Sequence, residues 1–256
     1  MVNKNPARFI KKRRNKNARK LFHKVIKYFV FCYLKSIHDK VTYSLAYIEK
    51  DTKIKVEDFL KDRFVIDYLR KRENKLAYQE QLFVQSGMKI RDIENLLFFP
   101  ETEVEYVQGS FLRNDKIDVL VTNLPLDDYW ADVDNESIYF VFEFKRLKNT
   151  SKNPAYLTDT EKFVNRKYSQ FRFPYNGMVG LVEKSSISIN EIIEDLEEKL
   201  QKHSIIKSIP NKGKILKPFN LIGFEKCKIS SHQHNSEART IDVIHMFFDY
   251  SKIIVP

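Results

Sequence analysis

The sequence YFVFEFKRL, from Tyr139 to Leu147, sets one glutamate among aromatic and aliphatic side chains. Successive side chains of a β-strand point to opposite faces of the sheet, and both faces of this stretch are largely apolar. Such a strand is usually covered on both sides, so the stretch predicts an interior strand of a mixed or parallel sheet packed between helices. Glu143 breaks the pattern, because an ionised carboxylate in a dry position costs several kcal/mol unless a partner compensates it.

Two explanations of Glu143 are open at this point. Lys145 lies two residues along the same face, so the two side chains would form an ordinary salt bridge at the end of a strand. Alternatively, Glu143 helps to hold a divalent metal ion, and Lys145 orients or polarises a nucleophilic water. The second explanation requires another acid nearby, because Mg²⁺ rarely sits on one carboxylate.

A second acid interrupts another predicted strand, RNDKIDVLVTN, from Arg113 to Asn123. The stretch has the β-branched content and the flanking turn residues of an interior strand. Asp118 lies within its apolar run. The sequence therefore places one acid in each of two consecutive predicted strands, and either acid alone would be anomalous there.

Composition and cysteine content bound the class of protein. The 256 residues are 43% hydrophobic, enough for one substantial core. Cys32 and Cys227 lie far apart and indicate no disulfide framework, which suits a reducing compartment. No stretch approaches the roughly 18 to 20 apolar residues that cross a bilayer, and Lys27 interrupts the apolar run behind the basic N-terminus. We expect a cytoplasmic protein with no membrane partner.

The positive charge is concentrated at the N-terminus. Residues 1–38 contain twelve lysines and arginines and no acid, which leaves 33 of the 45 basic residues against 34 acids in the rest of the chain. Such an arm suits the phosphates of a nucleic acid, although a solvated tail or an anionic lipid surface would have a similar composition. The candidate phosphate contacts in the arm are Lys11, Lys12, Arg13, Arg14, Lys16, Arg19 and Lys20.

The order of predicted elements from Val56 to Val182 is helix, strand, strand, strand, helix, strand. One long helix or two consecutive helices precede this segment, and a short helix is predicted around residues 89–97. Thr158 and Glu161 have the spacing of a capping box, as do Ser188 and Glu191, and each pair predicts the start of a helix. Two further strands are predicted near residues 221–230 and 240–248.

This order and these acids resemble the PD-(D/E)xK, or restriction-endonuclease-like, nuclease superfamily. Asp118 matches the motif aspartate, Glu143 the motif acid and Lys145 the motif lysine, while Ile117 replaces the proline that names the motif. The resemblance implies an α/β fold with a restriction-endonuclease-like core, in which a mixed α-β-β-β-α-β sheet is flanked by helices. We expect a basic helical extension over residues 1–50, a nuclease domain over residues 51–256 and additional C-terminal strands.

The resemblance also implies an activity. It predicts a Mg²⁺-dependent nuclease, with Mn²⁺ as a substitute, that hydrolyses phosphodiester bonds. DNA is the expected substrate, RNA is the alternative, and restriction or anti-phage defence is the expected context. Asp118, Glu143 and the backbone carbonyl of Phe144 would hold the metal, and Lys145 would act on the water. Some members add a glutamate from the first helix, for which Glu57 is the candidate, although an acid at a helix start is also explained by the helix dipole.

Several points are left open by the sequence. Lys167 and Gln170 are candidate substrate contacts on the helix after the third strand. A homodimer or a partner subunit is compatible with the chain. The alternative function is a non-catalytic nucleic-acid-binding protein that retains the nuclease fold.

Other motifs are weaker. His232 and His234 lack a second ligand pair at zinc-finger spacing, and we expect them to face solvent on a strand or turn. Six glycines provide no phosphate-binding loop, which argues against nucleoside triphosphate chemistry.

Overall fold

The computed structural model describes residues 6–86, 93–108, 111–123, 139–168, 172–184, 186, 188–221, 223–235 and 238–255. Its α-helices are α1 Pro6–His38, α2 Leu45–Asp51, α3 Val56–Phe64, α4 Arg72–Ser86, α5 Asn153–Asn165 and α6 Ile189–Lys202. A π-helical turn, Val65–Leu69, continues α3. The strands are β1 Tyr43–Ser44, β2 Leu96–Gln108, β3 Phe111–Asn123, β4 Tyr139–Leu147, β5 Lys167–Tyr168, β6 Arg172–Val182, β7 Lys217–Pro218, β8 Cys227–Gln233, β9 Thr240–Asp249 and β10 Ile254–Val255.

Eight strands form one mixed sheet in the order β5-β2-β3-β4-β6-β9-β8-β7. Strands β2, β3 and β4 are antiparallel neighbours, whereas β4, β6 and β9 run parallel to one another. Helix α5 provides the crossover between β4 and β6, as a parallel connection requires. Strand β4 is interior, which confirms the prediction from its apolar faces.

The two faces of β4 pack into two cores. Phe140, Phe142 and Phe144 belong to the core under α1, where the Phe29 ring stacks on Phe142 with centroids 4.3 Å apart. Tyr139 and Val141 belong to the opposite core, with α5 and α6. Helices therefore cover both sides of the sheet, which confirms the prediction of a mixed α/β fold.

Helix α1 is part of the main core. One of its faces is buried from Ala18 to Tyr33, and the Tyr33 ring stacks on Phe248 at 4.3 Å. Each aromatic pair of this kind contributes about 0.5 to 1.5 kcal/mol beyond its buried area. The apolar spacing of α1 is thus explained by the sheet beneath it, whereas the division of the chain at residue 50 stays a prediction.

Two helix starts had opposite outcomes. Ser188 is the N-cap of α6 and accepts a hydrogen bond from the backbone N–H of Asn190, so this prediction is confirmed. The capping box at Thr158 is wrong, because α5 begins five residues earlier at Asn153, with Pro154 in its first turn. The Thr158 hydroxyl instead donates to the Pro154 carbonyl inside the helix.

The helix predicted around residues 89–97 is only partly testable. Residues 89–92 lie outside the described residues, and Leu96 and Leu97 begin β2, so the predicted C-terminal end is wrong. Helix α4 was not predicted. No helix in the described ranges is both long and apolar enough to cross a membrane.

Candidate active site

Asp118 lies where β3 and β4 separate. The ladder between these strands covers Val119 to Thr122 and ends at the pair Val119 and Phe142, and one further step of this register sets Asp118 opposite Glu143. The backbone N–H of Phe144 donates to Asp118 Oδ2 at 2.7 Å. The Asp118 carboxylate thus accepts the hydrogen bond that a backbone carbonyl of β3 would accept if the two strands stayed paired.

The other neighbour of β3 is also irregular here. The pairing of β2 with β3 is interrupted at Glu101, which the register sets opposite Asp118 between the pairs Pro100–Val119 and Thr102–Ile117, and Glu101 has a positive φ of 52°. Left-handed backbone is uncommon in a non-glycine residue, and such positions persist where surrounding contacts hold them. The irregularity directs the Glu101 carboxylate toward the same region as Asp118, since both accept hydrogen bonds from Lys61.

Glu143 is buried beside other acids. Its side chain is 4% exposed, and burial raises its pKa well above the ordinary value for glutamate. The carboxyl groups of Asp118 and Asp159 raise this pKa further, and a hydrogen bond joins Glu143 to Asp118. Glu143 therefore keeps its proton to a higher pH than a free glutamate does, and a cation could take the place of that proton.

Lys145 is not the partner of Glu143. Its ammonium lies 3.1 Å from Glu57 Oε1 and 2.9 Å from Asp159 Oδ2, and within the described ranges no ion pair joins it to Glu143. Burial alone would lower the pKa of Lys145, but Asp159 and Glu57 together raise it above its ordinary value. The salt-bridge explanation of Glu143 therefore fails, and Lys145 stays fully charged.

Glu57 belongs to the site through Lys145 rather than through the two strand acids. Its Oε1 accepts from the Lys145 ammonium, and its Oε2 accepts from the backbone N–H of Arg146 at 2.7 Å. These contacts fix the N-terminal first turn of α3 against the C-terminal end of β4. Its expected role as a metal ligand stays a prediction, and the contact that the structure shows is its ion pair with Lys145.

Sequence reasoning missed five charged residues of the site. They are Asp58, Lys61, Glu101, Asp159 and Lys162. Lys61 lies three residues after Asp58 on α3, and Asp159 lies three residues before Lys162 on α5, so helical spacing could have indicated both pairs. The sequence gives no sign that Glu101 belongs to the site, because no residue pattern marks the interruption of the pairing between β2 and β3.

The acids fit a magnesium ion bound with few protein ligands. Within the described ranges, no group of three His, Cys, Asp or Glu residues is arranged to hold a metal ion. Mg²⁺ is commonly bound by one or two carboxylates, with waters and substrate phosphates completing its octahedron. The contact between Asp118 and Glu143, with the raised pKa of Glu143, supplies such a pair.

The N-terminal part of α1 lies away from these acids. Phe22 packs on Phe140 and Phe29 packs on Phe142, so α1 runs along β4 with its N-terminus toward the start of the strand. At 1.5 Å per residue, residue 12 lies about 25 Å along the helix axis from Phe29. Residues 11–14 therefore extend in the direction opposite to Glu143 and Lys145.

The other predicted nucleic-acid contacts are scattered. Lys16, Arg19 and Lys20 are exposed on α1. Lys167 lies in β5, at the edge of the sheet, rather than on a helix, and Gln170 lies outside the described residues.

The prediction of solvent-facing histidines is wrong. His232, His234 and His245 are all buried, and two of them belong to a chain of hydrogen bonds. The chain runs from Tyr156 to His245 at 3.0 Å, to Ser230 at 2.7 Å, to His232 at 2.6 Å and to Ser208 at 3.1 Å. Burial lowers the pKa of His232 to about 4, and burial together with His232 lowers that of His245 to about 3. Both imidazoles are therefore neutral structural groups.

Comparison with models of known protein families, with curated proteins and with solved structures finds no match to this chain.

Asp118→Asn is expected to destabilise the protein in EDTA by about 1 to 3 kcal/mol. The substitution removes one of the carboxylates that compensate the buried Lys61 ammonium, and an undercompensated buried charge is costly. Urea unfolding at neutral pH measures the change. Asp39→Asn is the matched control, because Asp39 forms a surface pair with Lys35 and its loss should cost less than about 0.5 kcal/mol. Equal stability of Asp118→Asn and wild type would contradict the compensating role of Asp118.

Proposed function

We propose that the chain is a metal-dependent nuclease of restriction-endonuclease-like architecture that hydrolyses phosphodiester bonds of DNA. The observation that carries the proposal is the contact between the Asp118 and Glu143 carboxyl groups, beside a lysine that two other acids hold. The fold supports it, since helix α3, the antiparallel strands β2 to β4, helix α5 and the parallel strand β6 occur in the order of that architecture.

Three residues would bind the metal ion in the proposed mechanism. Asp118 and Glu143 would hold Mg²⁺, with the Phe144 carbonyl as a further ligand, and the ion would supply Lewis-acid polarisation of the phosphate and a lowered pKa of bound water. The Phe144 N–H fixes the Asp118 carboxylate. Glu143 would have to release its proton to bind the ion, so the apparent metal affinity is expected to rise with pH.

Lys145 would act on the reacting groups directly. Its ammonium is charged at every physiological pH, because Glu57 and Asp159 raise its pKa. A fixed positive charge beside the metal ligands stabilises negative charge that develops on the phosphoryl oxygens, or orients the attacking water. Glu57 and Asp159 hold the ammonium and are positioning residues in this scheme.

A non-catalytic nucleic-acid-binding protein is the second candidate. It is favoured by the ion pairs that already engage Asp118 and Lys145. The two candidate functions are distinguished by whether the protein cleaves the nucleic acid that it binds.

The experiment is incubation of the purified protein with plasmid, linear duplex DNA and RNA, each with Mg²⁺, Mn²⁺ or EDTA. The nuclease proposal expects cleavage of DNA with either metal and none in EDTA. Lys145→Ala should lose cleavage, whereas Lys202→Ala, at an exposed position on α6, should retain it. Binding of all substrates without cleavage under any condition would favour the second candidate.

The exposed charges of α1 should supply binding that depends on salt but not on sequence. Each phosphate contact to duplex DNA contributes about 0.9 to the slope of log affinity against log salt. Replacement of Lys16, Arg19 and Lys20 by Gln is expected to flatten this slope by up to about 2.7. The measurement is a salt titration of DNA binding in Ca²⁺. Its control replaces three exposed lysines elsewhere, Lys202, Lys212 and Lys214, and equal slopes for the two triple variants would contradict a phosphate-binding arm.

A further inference from the structure

We propose that the Lys61 ammonium is a built-in cation of the candidate site, which occupies the position of a second metal ion and limits the site to a single divalent ion. The inference rests on the proposed function and specifies the metal stoichiometry of that same site.

Three carboxylates from three elements converge on this ammonium. Lys61 Nζ lies 3.1 Å from Glu101 Oε1 in β2, 3.3 Å from Asp118 Oδ1 in β3 and 3.4 Å from Asp58 Oδ1 in α3. A lysine ammonium has three N–H donors and no acceptor, so three acceptors match its capacity. The side chain is only 1% exposed, which is rare for lysine unless its charge is compensated.

The spacing suits an ammonium rather than a magnesium ion. Mg²⁺ requires oxygens at about 2.0 to 2.1 Å, roughly 1 Å closer than these three carboxylates lie from Nζ. A divalent ion could use Asp58 and Glu101 only if the ammonium left and the carboxylates moved inward. Lys116 also neutralises Glu101, at 2.8 Å, and so lowers the demand for another cation there.

Asp118 is shared between the two cation positions. Its Oδ1 accepts from Lys61 and its Oδ2 accepts from the Phe144 N–H, while its carboxyl group also contacts Glu143. A carboxylate offers about four lone-pair sites, so one more ligand bond remains feasible on the Glu143 side. Lys61 thus compensates the charge of Asp118 on one side, and a metal ion would compensate it on the other.

A purely structural ion pair is the competing explanation. Lys61 would then only join α3 to β2 and β3, and its removal would change stability without changing metal binding. The number of bound ions distinguishes the two explanations. As long as a variant is folded, its free energy of unfolding does not affect the number of ions that it binds.

The experiment counts Mn²⁺ ions bound per chain from the electron paramagnetic resonance signal of free Mn²⁺, with the full chain and no nucleic acid. The wild type is expected to bind one ion, and Glu143→Gln none. Lys61→Met is expected to bind two, whereas Lys61→Arg, which keeps the charge, is expected to bind one.

Lys75→Met is the matched control. Lys75 is also buried, but its ammonium donates to the backbone carbonyls of Leu96 and Glu94. Its replacement removes a buried lysine outside the site, so one ion should remain.

Two outcomes overturn the inference. The first is a wild-type protein that binds two ions, both lost in Glu143→Gln; the wild-type count does not depend on the folding of any variant. The second is a folded Lys61→Met variant that still binds one ion. Failure of the nuclease proposal is distinguishable, because it would appear as absent cleavage with the predicted ion counts intact.

Discussion

Glu143→Gln is expected to lower the rate of Mg²⁺-dependent DNA cleavage by on the order of 10³-fold or more. The carboxylate is one of the two acids proposed to hold the metal, and the charge stabilisation that a metal ion supplies amounts to several kcal/mol. The same variant should unfold in EDTA at an equal or higher temperature than the wild type, because a neutral amide replaces a buried acid beside Asp118 and Asp159.

The two readouts are single-turnover cleavage at saturating Mg²⁺ and thermal unfolding in EDTA. Glu198→Gln is the matched control, since Glu198 lies exposed on α6 in a surface pair with Lys202 and should change neither quantity. A Glu143→Gln variant that cleaves at the wild-type rate would exclude the proposed metal site. One that loses activity because it fails to fold would instead show that Glu143 is structural.

Acidification from pH 7 to pH 5 is expected to remove about 3 to 4 kcal/mol of stability through His232 and His245. Both groups have a folded pKa below their unfolded value of 6.5, at about 4 and about 3. A base with a lowered folded pKa contributes stability that is full above the unfolded pKa and is lost as the pH falls below it. At pH 5 the unfolded chain therefore binds nearly two protons that the folded chain does not bind.

Glu143 acts in the opposite direction, because its folded pKa is raised and its protonated form is favoured in the folded state. The histidine contribution is therefore measured as a difference between proteins. Urea unfolding at pH 7 and pH 5 should show that His245→Gln loses about 2 kcal/mol less than wild type between these pH values, although it is less stable at pH 7. His38→Gln, at an exposed position, should follow the wild type, and an unaltered pH dependence in His245→Gln would contradict the account.

The sequence predicted the parts of the fold that depend on local periodicity. The alternation in β4 predicted both its interior position and its two apolar faces, because the period of a strand is independent of its neighbours. The same alternation placed Glu143 and Lys145 on one face. Ser188 was identified as a helix cap because capping is decided within one turn of backbone.

Features set by distant partners could not be predicted in this way. His245 is buried because its ring meets Tyr156, which is 89 positions away in the sequence. In the sequence, Lys61 is typical of a solvent-exposed helix face. In the structure it is buried, because the sheet places Glu101 and Asp118 next to its ammonium. Likewise, Lys145 pairs with Glu57 and Asp159, which come from two different helices, rather than with the acid two residues before it.

The most direct test of the account is the position of a bound metal ion. Crystals grown with Mn²⁺ should show an anomalous difference peak within coordination distance of the Asp118 and Glu143 carboxylates. Its environment should retain the contacts of Lys145 with Glu57 and Asp159. A Mn²⁺ peak at another part of the chain, or none at saturating Mn²⁺, would contradict the claim that these two acids form a metal centre.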